Sequence, residues 1–274
     1  LVIAYSFLFI AYVMRLAFDP GKKINTEALV FLTLLSVLVA LSKNIYFFLC
    51  FLFFLVPLSR AGSKKRYVTS VLLFFGTTLL AAVASSLVVN HILSQVNTVE
   101  MMYGGGIFPQ INPAKQVEFI LSDIPGFIKI VFHSFTERWT MVVKSYIGIL
   151  GWMSIYLSNV YYLFAYSSIL LVALYSVKVN PVININHKLL LLGISIVVIF
   201  AFSFTMYCSW TEPGATRIDN LQGRYFMPVA PLIWLLFQNK KLYTNKLFFV
   251  VLTITFGIIS MLETWRHLLL RFYF

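Results

Sequence analysis

Residues 28–60 read ALVFLTLLSVLVALSKNIYFFLCFLFFLVPLSR. The apolar run at their heart covers 27–57 and is broken near its middle by Ser42, Lys43 and Asn44. Basic residues close both ends, Lys22 and Lys23 before it and Arg60, Lys64, Lys65 and Arg66 after it. One long helix would put those ends on opposite sides of a bilayer, against the bias of Lys and Arg toward cytoplasmic loops. A hairpin of two short helices keeps both ends on one side. Arms of about 14–15 residues reach roughly 20 Å at the α-helical rise, less than a full crossing, so the turn at Lys43 is expected to be buried toward the outer half of the bilayer.

The rest of the chain has the same character. Of its 274 residues 60% are hydrophobic, 17% aromatic and only 11% charged, and its mean hydropathy is +0.89. Soluble domains carry about twice that charge, which excludes a water-soluble enzyme. With 13 Gly, 9 Pro and 2 Cys and no short repeat, collagen, coiled-coil and disulfide-scaffold readings fall as well. The formal net charge of +12 needs no nucleic-acid partner, because cytoplasmic loops of membrane proteins collect basic residues. Cys50 and Cys208 lie inside apolar runs, where a thiol packs as a small hydrophobe. Residue 1 is Leu within LVIAYSFLFIAYVM, with no Met or basic segment before it. A cleaved signal peptide is therefore not expected, and the chain is expected to be the C-terminal part of a longer protein.

Residues 1–18 form one span, the hairpin arms follow, and 67–90 run outward. Residues 157–177 return inward to Lys178 and Lys188, 189–210 go outward, 225–238 come back to Lys240, Lys241 and Lys246, and 247–262 end outside. The inner loops then hold Lys22, Lys23, Arg60, Lys64, Lys65, Arg66, Lys178, Lys188, Lys240, Lys241 and Lys246, and only Asp19 and Glu27 among the acids. Between the spans, 91–152 read as an external loop with interfacial helices. It contains Gly104–Gly106 and Pro109, and two helix starts, Asn112-Pro113 and Asp123-Ile124-Pro125. Val117, Ile120, Leu121, Ile124, Ile128, Val131, Phe135 and Trp139 then recur at three- and four-residue spacing, the pattern of a helix lying in the membrane interface.

Two places could carry chemistry. Lys43 inside an apolar hairpin costs about 2.5–3.5 kcal/mol on insertion scales, and such residues face a wet cavity, a counter-charge or the interface. No carboxylate is at hand in the hairpin, and a phosphate ligand would serve; snorkelling to the outer interface is the plainer alternative. The second place is Gln222-Gly223-Arg224-Tyr225-Phe226, followed by Pro228 and Pro231, at the outer mouth of a span. Gly223 lets backbone approach closely and Arg224 offers a planar fork for phosphate; an interface anchor beside aromatic-belt residues would look the same. Gly104–Gly106 lack the Lys-Ser/Thr of a phosphate loop. His91, His133, His187 and His267 are scattered without metal-ligand spacing. Glu100, Glu118, Asp123, Glu137, Glu212 and Asp219 are external acids able to act as a base or hold a divalent ion, and no two of them form a motif.

LSKNIYFFLCFLFFLVPLSR, the stretch from Gln110-Ile-Asn-Pro to Leu150-Gly-Trp152, and QGRYFMPVAPLI resemble the C-terminal half of domain-of-unknown-function family 2142. Its members are bacterial polytopic membrane proteins, commonly found with cell-surface polysaccharide functions. The short hairpin with a central Lys also resembles an element of the GT-C class of membrane glycosyltransferases, which use polyprenyl-phosphate sugars and keep a catalytic Asp or Glu in the first external loop. That loop has no counterpart here, so the base stays unidentified. What the resemblance implies is a donor-phosphate role for Lys43 and Arg224, with Gln222 and Tyr225 beside them.

The expected architecture is a single all-α transmembrane domain over 1–274, a polytopic bundle of about eight membrane segments, two of them the short hairpin, with external amphipathic helices. The expected function is transfer of a sugar from a polyprenyl-phosphate donor to a cell-envelope glycan, in the bacterial cytoplasmic membrane. No cofactor and no nucleic acid are expected, and a divalent metal stays open; membrane lipids and a glycan acceptor are the other partners. A transporter or flippase of lipid-linked glycans, using the same cations, is the alternative, with a non-catalytic assembly subunit behind it.

Overall fold

A computed structural model describes residues 1–95, 112–151, 153–177, 183–239 and 241–273. Gly104–Gly106, Pro109, Trp152, Lys178 and Lys240 lie outside these. The elements are α1 (Val2–Phe18), α2 (Thr26–Ser42), a 3-10 helix (Asn44–Leu55), a 3-10 turn (Leu58–Ala61), α3 (Lys64–Gln95), α4 (Pro113–Ser122), α5 (Ile124–Glu137) and α6 (Trp139–Ile147). A two-residue ladder of β1 (Ile149–Leu150) and β2 (Ile155–Tyr156) follows, then α7 (Asn159–Leu174), α8 (Ile185–Trp210), a 3-10 helix (Gly223–Val229), α9 (Ala230–Leu235) and α10 (Lys246–Phe272). Among the described residues α3, α8 and α10 are long and apolar enough to cross a membrane. α1, α2, the 3-10 helix Asn44–Leu55 and α7 are shorter apolar helices. The chain divides into two compact units, residues 1–134 with 193–221, and residues 135–192 with 222–274.

In the first unit the hairpin forms with Lys43 as the residue between its arms. Its second arm is a 3-10 helix and not the α-helix expected. Every third residue of such a helix eclipses the one before, and the side chains follow that period. Tyr46, Leu49, Leu52 and Leu55 are buried, while Phe51 and Phe54 are exposed. The rings of Phe48, Phe51 and Phe54 succeed one another at 6.3 and 6.2 Å between centroids, close to the roughly 6 Å that three residues rise. The tighter winding also equalises the arms. Twelve residues at ~2.0 Å and the 17 residues of α2 at ~1.5 Å both span about 25 Å.

α3 shows which solvent surrounds the unit. Its buried positions are Ser70, Phe74, Thr78 and Ala82, and its exposed ones include Leu72, Leu73, Leu80 and Leu87. Small and polar residues inside with leucines outside is the arrangement of a helix in lipid, where apolar surface gains nothing by burial and close packing selects small contacts. Ser36 on α2 and Thr78 on α3 share a hydrogen bond of 2.6 Å, and Asn44 donates to Ser86 of α3 at 2.6 Å. Phe74 lies between Phe9 and Phe53, 6.3 and 5.0 Å away. Arg60 closes the base of the unit. Its guanidinium donates to the carbonyls of Pro20 at 2.8 Å and Ala17 at 3.3 Å, covering carbonyls left open where α1 ends.

Asn112 and Asp123 begin α4 and α5 as expected, their side chains accepting from the amides of Lys115 at 3.0 Å and Gly126 at 2.8 Å. The chain bends by 110° between these helices. The apolar positions from Val117 to Trp139 therefore lie on separate faces and not on one continuous stripe. Val131 is buried, and Ile128 is exposed.

In the second unit α7 carries the core, with Leu157, Tyr161, Tyr162 and Ala165 buried and Phe256 and Ile259 of α10 packed on them. Polar contacts fix α10 in register. Tyr161 and Ser260 share a bond of 2.8 Å, and the Glu263 carboxylate accepts from the amide of Ser158 at 2.7 Å, a negative charge at the positive end of α7. The segment 225–238, expected as a span, is instead the 3-10 helix Gly223–Val229 followed by the six-residue α9. Pro228 and Pro231 remove two amide donors and prevent one continuous α-helix. Lys188 donates to the carbonyls of Leu236 at 2.6 Å and Gln238 at 3.0 Å, so a cation covers the end of α9.

Candidate functional site

The hairpin break carries the first candidate. Ser42 ends α2 with its hydroxyl donating to the Leu38 carbonyl at 2.7 Å, and Lys43 is extended, at φ −166° and ψ 116°. This turns the chain from one arm into the other and brings the Lys43 amine over the Phe202 ring, 4.2 Å from its centroid. A cation on an aromatic face is held by the ring quadrupole. Lys43 is half-buried. Phe202 belongs to α8 and, like Lys43, to the first unit.

The second candidate begins at Gln222, the cap of the 3-10 helix Gly223–Val229, and belongs to the second unit. Gly223 is buried, and its amide donates to the Ser145 hydroxyl at 2.7 Å. A Cβ at this position would overlap the Val142 carbonyl and lie 2.7 Å from the Tyr146 amide nitrogen. The close approach that Gly223 permits is therefore to α6, where the sequence suggested a ligand. Phe226 is anchored against Phe135, 5.5 Å between ring centroids. Arg224 points the other way. It is exposed, with its guanidinium 5.6 Å from the Tyr225 ring centroid. Gln222 is buried, and its side-chain oxygen has no hydrogen-bond partner among the described residues. The local fold thus secures Gly223 and Phe226, while the Arg224 guanidinium stays at the surface.

Three buried polar residues that sequence reading passed over hold backbone in place, two in the first unit and one in the second. In the first unit Gln116, fully buried, donates to the carbonyls of Tyr207 and Glu212 at 3.1 and 3.2 Å and accepts from the Gly214 amide at 3.2 Å. Ser134, also fully buried, accepts from the Ile218 amide at 2.8 Å. Together with the Tyr207 hydroxyl on the Ala215 carbonyl at 2.6 Å and Thr211 on the Asp219 amide at 3.0 Å, they tie down residues 211–219. Ser145 does the same for Gly223 in the second unit. The signal was present in the spacing: Gln116 and Ser134 fall in phase with the buried Ile120, Phe127 and Val131, and a polar residue on a buried face needs a partner.

Glu212 is exposed, and Arg217 and Asp219 approach to 3.8 Å. His267 is paired with Glu263 at 3.1 Å. Among the described residues no three His, Cys, Asp or Glu side chains gather as a metal site would require.

Comparison with curated proteins and with solved structures yields no match. A family model described as "Predicted membrane protein (DUF2142)" matches residues 1–233. That stretch holds the Lys43 hairpin and the Gln222–Phe226 segment, and with helices that bury serine and expose leucine the chain belongs to the DUF2142 family of membrane proteins.

Proposed function

We propose that this membrane protein is a glycosyltransferase component that takes a sugar from a polyprenyl-phosphate donor and passes it to a cell-envelope glycan on the outer side of the bacterial cytoplasmic membrane. The observation that carries the reading is Lys43, a half-buried cation at the break of an apolar hairpin, held on the face of Phe202. Inserting a lysine at such a depth costs free energy that a bound anion offsets. A lipid-linked phosphate is the anion that reaches a site opening from the hydrocarbon. In the second unit, Gln222, Arg224 and Tyr225 offer a further place for a donor phosphate, with the exposed guanidinium as a fork for its oxygens.

Transfer breaks the bond between the sugar's anomeric carbon and the phosphate oxygen, and forms one from that carbon to an acceptor hydroxyl whose proton goes to a general base. Negative charge grows on the departing phosphate. Fixed cations in a water-poor site stabilise that charge more in the transition state than in the ground state, which lowers the barrier.

A lipid-linked-glycan transporter would bind the same donor without breaking the glycosyl bond. The experiment that separates the two readings supplies the full-length protein, in vesicles, with a radiolabelled polyprenyl-phosphate sugar and a cell-envelope glycan fraction. Label in the glycan, lost in Lys43→Met and restored in part by Lys43→Arg, supports transfer. Label that crosses the bilayer still attached to the lipid overturns it in favour of transport.

A further inference from the structure

A groove of about 430 Å³ opens in the first unit between the first turns of α2 and α3, away from the hairpin turn at Lys43. Lys65 and Arg66 line it on one side, and Leu29 and Leu73 form an apolar wall. It lies where α3 begins its run as a membrane span, Lys64–Val89.

Three features of this groove ask for an anion. Ser63 begins α3, its hydroxyl accepting from the Arg66 amide at 3.2 Å, and the next three residues are Lys64, Lys65 and Arg66 with no acid in the first turn. A helix N-terminus carries partial positive charge, so three cations there repel the backbone dipole unless a negative group joins them. The side chains of Lys65 and Arg66 make no ion pair or hydrogen bond among the described residues. Independently, Ser70 lines the groove while only 3% exposed, and its hydroxyl has no hydrogen-bond partner among the described residues. What little surface Ser70 keeps opens on the groove, where an incoming oxygen can accept from its hydroxyl.

We propose that this groove is a binding site for the phosphate of an anionic membrane lipid, separate from the donor site and independent of the glycosyltransferase reading. Lys65 and Arg66 grip the phosphate, Ser70 donates to it, and the first acyl carbons lie on Leu29 and Leu73. The apolar wall argues for a lipid over free phosphate, since a small hydrated anion gains nothing from leucine side chains. The unmatched charge, present before any ligand, supplies the complementarity.

The test titrates the full-length, delipidated protein in detergent with phosphatidylglycerol and reads retained lipid by native mass spectrometry. Lys65→Gln with Arg66→Gln should weaken the tightest binding by roughly thirty-fold, at about five-fold for each basic residue near a charged lipid. Lys22→Gln with Lys23→Gln removes the same charge nearby but outside the groove and should change affinity by less than about three-fold. Thr69→Trp fills the groove with the charges intact and should also lose the tight lipid, with thermal unfolding unchanged. Equal weakening by the two charge pairs overturns the proposal. So does wild-type binding in Thr69→Trp, and so does displacement of the lipid by millimolar inorganic phosphate, which would leave a plain anion site.

Discussion

Gly223 and Lys43 show how single residues set what the rest of the chain can do. Gly223 lies so close to α6 that a methyl group would meet the Val142 carbonyl. Gly223→Ala is expected to destabilise the protein by about 1–3 kcal/mol, the usual cost of overpacking. Gly257→Ala makes the contrast, because nothing lies within 4 Å of a Cβ placed there. In the interior of α10 that change should be neutral or stabilising by up to ~1 kcal/mol. Thermal unfolding of the two variants in detergent, compared with wild type, checks both signs. Equal behaviour would mean that Gly223 is not in contact with α6. Lys43 acts through charge where Gly223 acts through shape. Its candidacy was legible because a lysine in the middle of LSKNIYFF is costly in lipid and needs a wet cavity, a counter-charge or a path to the interface. Its aromatic partner Phe202 was not, since phenylalanine is too frequent in this chain for sequence to single one out; there are 27.

Among the elements, the 3-10 helix Asn44–Leu55 makes the sharpest prediction. Its buried face repeats every third residue, so Leu49→Ala and Leu52→Ala should each cost about 2–5 kcal/mol, while Phe51→Ala and Phe54→Ala, on the exposed face, should cost far less. A scan read by unfolding would contradict the element if the sensitive positions followed a 3.6-residue period. α5 offers a second case. Val131→Asp puts a carboxylate on a buried face and should lower stability severely, whereas Ile128→Asp, at an exposed position, should leave the fold intact. Similar unfolding temperatures for the two would remove the assignment of faces. The hairpin and the two capped helix starts at Asn112 and Asp123 were readable, because each is announced by a local chemical signal. Neither the 3-10 winding nor the 110° bend at Asp123 was. Tyr, Phe, Leu and Cys side chains fill both helix types, and a helix start does not state its direction. The segment 225–238 was misread for a related reason. Hydropathy counts side chains, but Pro228 and Pro231 decide the structure through missing backbone donors.

For the molecule as a whole, the membrane character follows from composition and is repeated in the burial pattern of α3, with Ser70 and Thr78 inside and Leu72 and Leu80 outside. The charge distribution makes a topology prediction: residues 64–66 and 241 face the cytoplasm, and residues 211–224 face outward. Cys50 and Cys208 are buried, so their background labelling is low. A cysteine in place of the exposed Thr216 should react with an impermeant maleimide in whole cells, and one in place of Lys64 should react only after permeabilisation. The reverse pattern would invert the bundle and remove the outward-facing donor site.

The most direct measurement is binding of a labelled polyprenyl-phosphate sugar to the full-length protein in nanodiscs, for wild type, Lys43→Met and Arg224→Met. Saturable binding is expected in wild type, weakened by about ten-fold or more in each variant, on the scale of losing one charge-assisted hydrogen bond. Wild-type affinity in Lys43→Met, or no saturable binding to the unaltered protein, would contradict the account.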